Sequence, residues 1–355
     1  MRNLSLAYLT LALAAPTLAA DLPAPSGPGI VDSDTKLELL FTRTADIQGG
    51  LTEGPAVAPD GSVYFSDIPF GDDKGMILRF DPKTKTTGVF TTNSGKSNGL
   101  IFDSKGGLLA CEGSDDGGRR VSRWDVETGK RETVADRYQG KRFNAPNDLC
   151  LDRRGRIYFT DPRYLGDEPR ELDYRAVYRI DLDGAVEEMT HEVSKPNGIA
   201  LSPDGYTLYV ADHDNGTDKI DPTQAPPPQG DMKVYAYPLG SEGKVAGSRK
   251  TFVDFGDKKG CDGMAVDERG NLYLTVRDAG RPGVMVVNPK GQEVAFIPTG
   301  AEGQSAADPD NPPVGLPSNV EFGIGDESNV LYVTVDTSLY RIPLKVKGFH
   351  VQHAR

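Results

Sequence analysis

Six oxygen-bearing side chains stand at one position of a repeated pattern: Glu53, Asn98, Asn147, Asn197, Asp262 and Asn319 each open an alternating apolar run. Carboxylates and asparagine carbonyls converging on one point suit a hard divalent cation, and calcium takes about six to eight oxygens. Zinc in a structural site asks for His or Cys, which this set lacks. Taken singly, Asn-Gly and Asp-Gly pairs are ordinary turn residues. Six such residues at one register, one of them a glutamate with no turn preference, point instead to a metal-binding ring.

The six can meet only if the chain carries them around a common axis, and the repeats supply the means. The runs Glu53 to Asp67, Asn98 to Glu112, Asn147 to Asp161, Asn197 to Asp212, Asp262 to Val276 and Asn319 to Val335 alternate apolar and polar residues on both sides of a tight turn. That is the signature of a β-hairpin. Further strand-like stretches, such as Met76 to Phe80 and Thr87 to Thr91, raise each unit to about four strands. Successive units begin 45 to 65 residues apart, the period of a propeller blade. The expected fold is therefore all-β, a six-bladed β-propeller with four antiparallel strands per blade, with a pair of β-sandwiches as the alternative. Because few residues follow Asn319, the last blade should borrow an N-terminal strand around Leu37 to Arg43 and so close the ring.

In a propeller the first strand of each blade lines the central tunnel, and the second returns to the same end. Asp67, Glu112, Asp161 and Asp212 should then lie behind the ring. The neighbouring loops offer Arg142, Tyr164 and His213 as candidate substrate contacts, whereas Arg119, Arg163, Lys195 and Arg277 read chiefly as ties between blades. Gly95-Lys96-Ser97-Asn98-Gly99 matches a nucleophile elbow, but a strand follows where that motif requires a helix.

Acidic residues outnumber basic ones 52 to 40 among 355, for a net charge of −12, which argues against nucleic acid or an anionic membrane surface as partner. Residues 1–20 read as a secretory signal: Arg2, an apolar run from Leu4 to Ala15, then small residues. The run is too short to span a bilayer, and no later stretch would serve as a membrane anchor. Export is expected, to a periplasm or the outside. A linker over 21–35, the propeller over 36–348 and a tail over 349–355 complete the division. Cys111, Cys150 and Cys261 are too sparse for a disulfide framework and read as small buried hydrophobes. The Pro- and Gly-rich segments His213 to Asp231 and Gly300 to Ser318 read as loop insertions. Oligomeric state is not legible.

The motifs Glu53-Gly54-Pro55, Arg142-Phe143-Asn144-Ala145-Pro146-Asn147-Asp148, Phe159-Thr160-Asp161-Pro162-Arg163-Tyr164, Lys195-Pro196-Asn197-Gly198 and Cys261-Asp262-Gly263-Met264 occur in this order at blade spacing. In them the chain resembles the gluconolactonase and senescence-marker-protein family of calcium-dependent six-bladed propellers, and more distantly diisopropylfluorophosphatase. The resemblance implies that Glu53, Asn147, Asn197 and Asp262 bind a catalytic divalent ion, calcium first, with zinc, manganese or magnesium as other ions of that role. It leaves Asn98 and Asn319 as outer or substrate-contacting positions. The implied activity is opening of a sugar lactone such as glucono-1,5-lactone, with the metal polarising the carbonyl and a carboxylate activating water. Asp262 is the candidate base, direct attack by its carboxylate being the other possibility. A broader lactonase or phosphotriesterase, or a non-catalytic binding propeller with structural calcium, are the rival readings.

Overall fold

The computed structural model describes residues 22–44, 50–69, 72–216, 228–303 and 315–353. The signal-like segment and the tips of both insertions lie outside the described residues. Within them, the strands form six four-stranded antiparallel sheets arranged as a six-bladed propeller. The inner strands are Leu51–Val57, Ser97–Phe102, Leu149–Leu151, Pro196–Leu201, Cys261–Val266 and Pro317–Phe322, opening blades I to VI. Blades I to V run outward in chain order. Blade VI ends on the N-terminal strand Glu38–Thr42, paired antiparallel with Ser338–Pro343, so the ring closes as expected.

Both faces of each blade are buried, because period-2 alternation sends successive side chains to opposite neighbours. Tyr64, Leu100, Phe102 and Trp124 share one cluster between blades I and II, and Leu109, Cys111, Phe143, Phe159 and Tyr178 another between II and III. Each such large side chain stabilises the fold by roughly 1.5–3 kcal/mol on burial. The three cysteines are buried and free, in line with their reading as small hydrophobes.

The two ends of the chain are more engaged than the sequence suggests. In the stretch expected to be a linker, Ile30 and Val31 are buried between blades V and VI, and Ser26 bridges Phe296. In the expected tail, the Phe349 amide donates to the Val266 carbonyl at 3.0 Å. Residues Phe349 to Gln352 line a small cavity of about 90 Å³ with Ile101, Leu149, Ile199 and Met264. Apolar residues at both termini find cover in the seams that the blades leave open.

Candidate functional site

At the opening end of the inner strands lies a pocket of about 320 Å³, lined by Glu53, Asn98, Asn147, Asn197 and Asp262 together with Lys96, Asp115, Tyr164, His213, Asn215 and Arg277. Five of the six ring residues therefore share one cavity. Four of the five, all but Asn147, sit at an irregularity in their strand. The pairing register breaks between Glu53 and Ala56, between Ser97 and Leu100, between Pro196 and Ile199, and between Cys261 and Met264. A bulge of this kind turns a side chain away from the alternating pattern.

The glycines after Asn98 and Asn197 have a second purpose. A Cβ on Gly99 would meet the Asn147 carbonyl at 2.8 Å and the Asp148 carboxylate at 2.4 Å, and one on Gly198 would meet the Asp262 carbonyl at 2.3 Å. Neither residue has the positive φ of a turn glycine. These glycines let neighbouring inner strands approach closely around the axis.

Behind the ring, carboxylates at the ends of second strands hold the backbone that enters the inner strands. Asp161 accepts the Asn144 and Ala145 amides at 2.8 and 2.6 Å, and Asp212 accepts those of Ser194 and Lys195, both at 2.9 Å. Asn147 and Asn197 follow two residues later. Asp67 is paired with Arg43, and Glu112 with Arg120 and Arg131. These acids brace the pocket without lining it.

Tyr164, a candidate substrate contact, lines the pocket and also orients a ring residue. Asn197 Nδ2 donates to its hydroxyl at 2.9 Å, and that hydroxyl donates to the His213 carbonyl at 3.1 Å. With the amide nitrogen engaged, the Asn197 carbonyl oxygen is the atom left for a ligand. The His213 ring bonds through Nδ1 to the Cys261 carbonyl at 3.1 Å, and burial and Arg277 push its pKa down to about 3. It is a neutral lining group.

Arg142 and Asn319 are not brought into the pocket. The Arg142 guanidinium donates to the Gly118 carbonyl and its amide to Glu171. Asn319 lies deeper, with Nδ2 3.5 Å from Asp148 and Oδ1 accepting the Val320 amide. Lys96, Asp115 and Asn215 line the pocket unforeseen, and Arg277, read as an inter-blade tie, lines it as well. A signal for Lys96 was present: Lys96-Ser97-Asn98-Gly99 and Lys195-Pro196-Asn197-Gly198 are the same pattern two blades apart.

Comparison with known proteins shows the family. The SMP-30/gluconolactonase/LRE-like family model matches residues 51–337. The chain belongs to this family. It is 30% identical over 347 residues to a gluconolactonase of Zymomonas mobilis, covering 92% of this chain and 86% of that protein. A solved gluconolactonase of Xanthomonas campestris is 28% identical, with a TM-score of 0.72 over 94% of this chain and 99% of that one. The calcium-binding regucalcin of Agrobacterium tumefaciens, at 19% identity and a TM-score of 0.65 over 89% of this chain and 96% of that one, shares the fold.

The family member's pocket suits a cation on its own chemistry. Asn147 Oδ1 is buried and accepts no hydrogen bond, an unusual state for a buried acceptor. Burial pushes Glu53 well above the ordinary carboxylate range, and the charges of Asp262 and Asp148 push it the same way. Asp148 is raised to about 7 by burial. Asp262 is raised to about 6, also by burial, against the pull of Arg277, whose Nε lies 3.4 Å from Oδ2. Among the described residues no three His, Cys, Asp or Glu side chains cluster as a metal site, so the donors on offer are two carboxylates and two amides, an all-oxygen set.

Proposed function

We propose that this protein is an exported, calcium-dependent lactone hydrolase that opens sugar lactones such as glucono-1,5-lactone to the aldonic acid. The observation that carries the reading is the convergence of Glu53, Asn147, Asn197 and Asp262 in one pocket with the Asn147 carbonyl left unbonded. Relatives bearing the name gluconolactonase support the same chemistry. Glu53, Asn147, Asn197 and Asp262 would hold the ion, which when bound supplies Lewis-acid polarisation of a carbonyl and neutralisation of the oxyanion.

The chain's own residues do the rest. Asp262 is the candidate base that takes a proton from water. Arg277 fixes the orientation of that carboxylate from 3.4 Å and places positive charge beside the developing alkoxide. Tyr164 keeps the Asn197 amide from rotating. Asp148, 3.5 Å from Asn319 Nδ2, acts electrostatically on Glu53.

The test is proton release from glucono-1,5-lactone at pH about 6.5, with calcium added or chelated, for the wild type and the Asp262→Ala and Glu53→Gln variants. A calcium-dependent rate lost by about 10³-fold or more in Asp262→Ala is the expected outcome. A folded, calcium-loaded protein no faster than spontaneous hydrolysis would sink the reading.

A further inference from the structure

We propose that Lys96 and Asp115 form the wall of the pocket that selects a polyhydroxylated ring over an alkyl lactone; the proposal rests on the lactone-hydrolase reading above. Both side chains line the pocket. The Lys96 ammonium is ion-paired with Asp115, and its side chain is 3% exposed against 35% for Asp115. An almost fully desolvated ammonium is costly unless polar partners surround it.

The backbone is built to hold this pair in place. Lys96, Asp115 and Asp116 all lie in the left-handed region, with φ of 54°, 61° and 64°, a conformation that non-glycine residues keep only where their surroundings impose it. The Lys96 amide donates to the Lys74 carbonyl at 2.9 Å, and its carbonyl accepts the Gly113 amide at 3.0 Å. Ser114 Oγ donates to the Leu165 carbonyl at 2.5 Å, and the Asp116 amide donates to Glu168 at 3.0 Å. The loop carrying Asp115 is thus tied both to its own blade and to the next.

An ammonium only donates and a carboxylate only accepts. A vicinal diol offers each what it needs, a lone pair to Lys96 and an O–H to Asp115. A methylene ring would press CH₂ groups against both charges and return nothing. Sites built to bond a hydroxyl reject analogues lacking it far more strongly than apolar pockets reject an added one. Asn98, Ser114 and Asn215 continue the polar wall.

The experiment compares kcat/KM for glucono-1,5-lactone and δ-valerolactone, and gluconate affinity by calorimetry, in the calcium-loaded wild type, Lys96→Met and Asp115→Asn. Lys96→Met should lose about 10- to 100-fold on gluconolactone, chiefly in KM, while δ-valerolactone changes by about twofold or less. Gluconate affinity should fall in parallel. Asp115→Asn should move the same way by less, and it decides the matter should Lys96→Met fail to fold. Equal losses on both lactones, no loss, or a wild type without preference for gluconolactone would overturn the proposal alone. A wild type that hydrolyses neither lactone would overturn the enzymatic reading and this proposal with it.

Discussion

Blades II and IV enter the tunnel by the same construction. Lys96 and Lys195 each precede the ring asparagine by two residues, and each carbonyl accepts an amide from the end of the second strand or just beyond it, Gly113 at 3.0 Å and His213 at 3.1 Å. Each ammonium is then caught by a side chain two residues further on, Asp115 in blade II and Asn215 in blade IV. The outcomes differ because of what packs alongside. In blade IV the Tyr164 ring lies 4.9 Å from the Lys195 ammonium and His213 fills the place that Gly113 leaves small, so Lys195 is sealed away and Asn197 is locked. In blade II that place is a glycine and Lys96 faces the cavity. One motif thus yields a sealed lysine beside a locked asparagine in one blade and a pocket-lining lysine in another, and the neighbouring residue decides which.

The sharpest way to break this contrast is to delete the two asparagines. Asn197→Ala should lower kcat/KM by about 10³-fold and abolish tight calcium binding by calorimetry, whereas Asn98→Ala should cost about tenfold at most. Equal losses would erase the distinction between the blades. Next, Tyr164→Phe removes the hydroxyl that holds the Asn197 amide, and calcium affinity should fall about 10- to 100-fold. A phenylalanine variant with wild-type calcium affinity would show that Asn197 needs no such brace.

His213 gives a smaller effect with a definite sign. Its pKa falls from 6.5 to about 3 on folding, so the unfolded chain takes up the proton first as pH drops. Wild-type stability relative to His213→Gln should therefore be full above pH about 6.5 and decline by about 1.4 kcal/mol per pH unit below it, or about 2 kcal/mol by pH 5. Urea unfolding of both proteins at pH 7.5 and 5 measures this, and a pH-independent difference would contradict a buried neutral ring. Smallest of all, Arg142→Ala should leave kcat/KM within about twofold, since its guanidinium binds the Gly118 carbonyl outside the pocket. A large kinetic loss there would redraw the site.

Much of this was legible in the chain. Hairpin runs ending in Asp67, Glu112, Asp161, Asp212, Val276 and Val335 reveal six blades because strand alternation is local and each blade repeats it. The same register placed Glu53, Asn147, Asn197 and Asp262 at one end of the tunnel. Arg142 and Asn319 show the limit of that reasoning. A register argument places a backbone position, but whether the side chain reaches the cavity depends on partners such as Glu171 and Asp148, which lie 29 and 171 residues away in sequence.

The sequence by itself determined the fold class, the blade count, the closure of the ring by an N-terminal strand and the oxygen-rich chemistry of the tunnel mouth. Those follow from composition and period, which depend on each residue and its near neighbours. The tertiary structure decided which ring positions open onto the pocket, that bulges sit at four of them, that Gly99 and Gly198 are there for close strand approach, that Tyr164 orients an asparagine, and that Lys96 faces inward while Lys195 does not. Each of these turns on contacts between blades, and a side chain's environment is set by whatever the fold brings beside it.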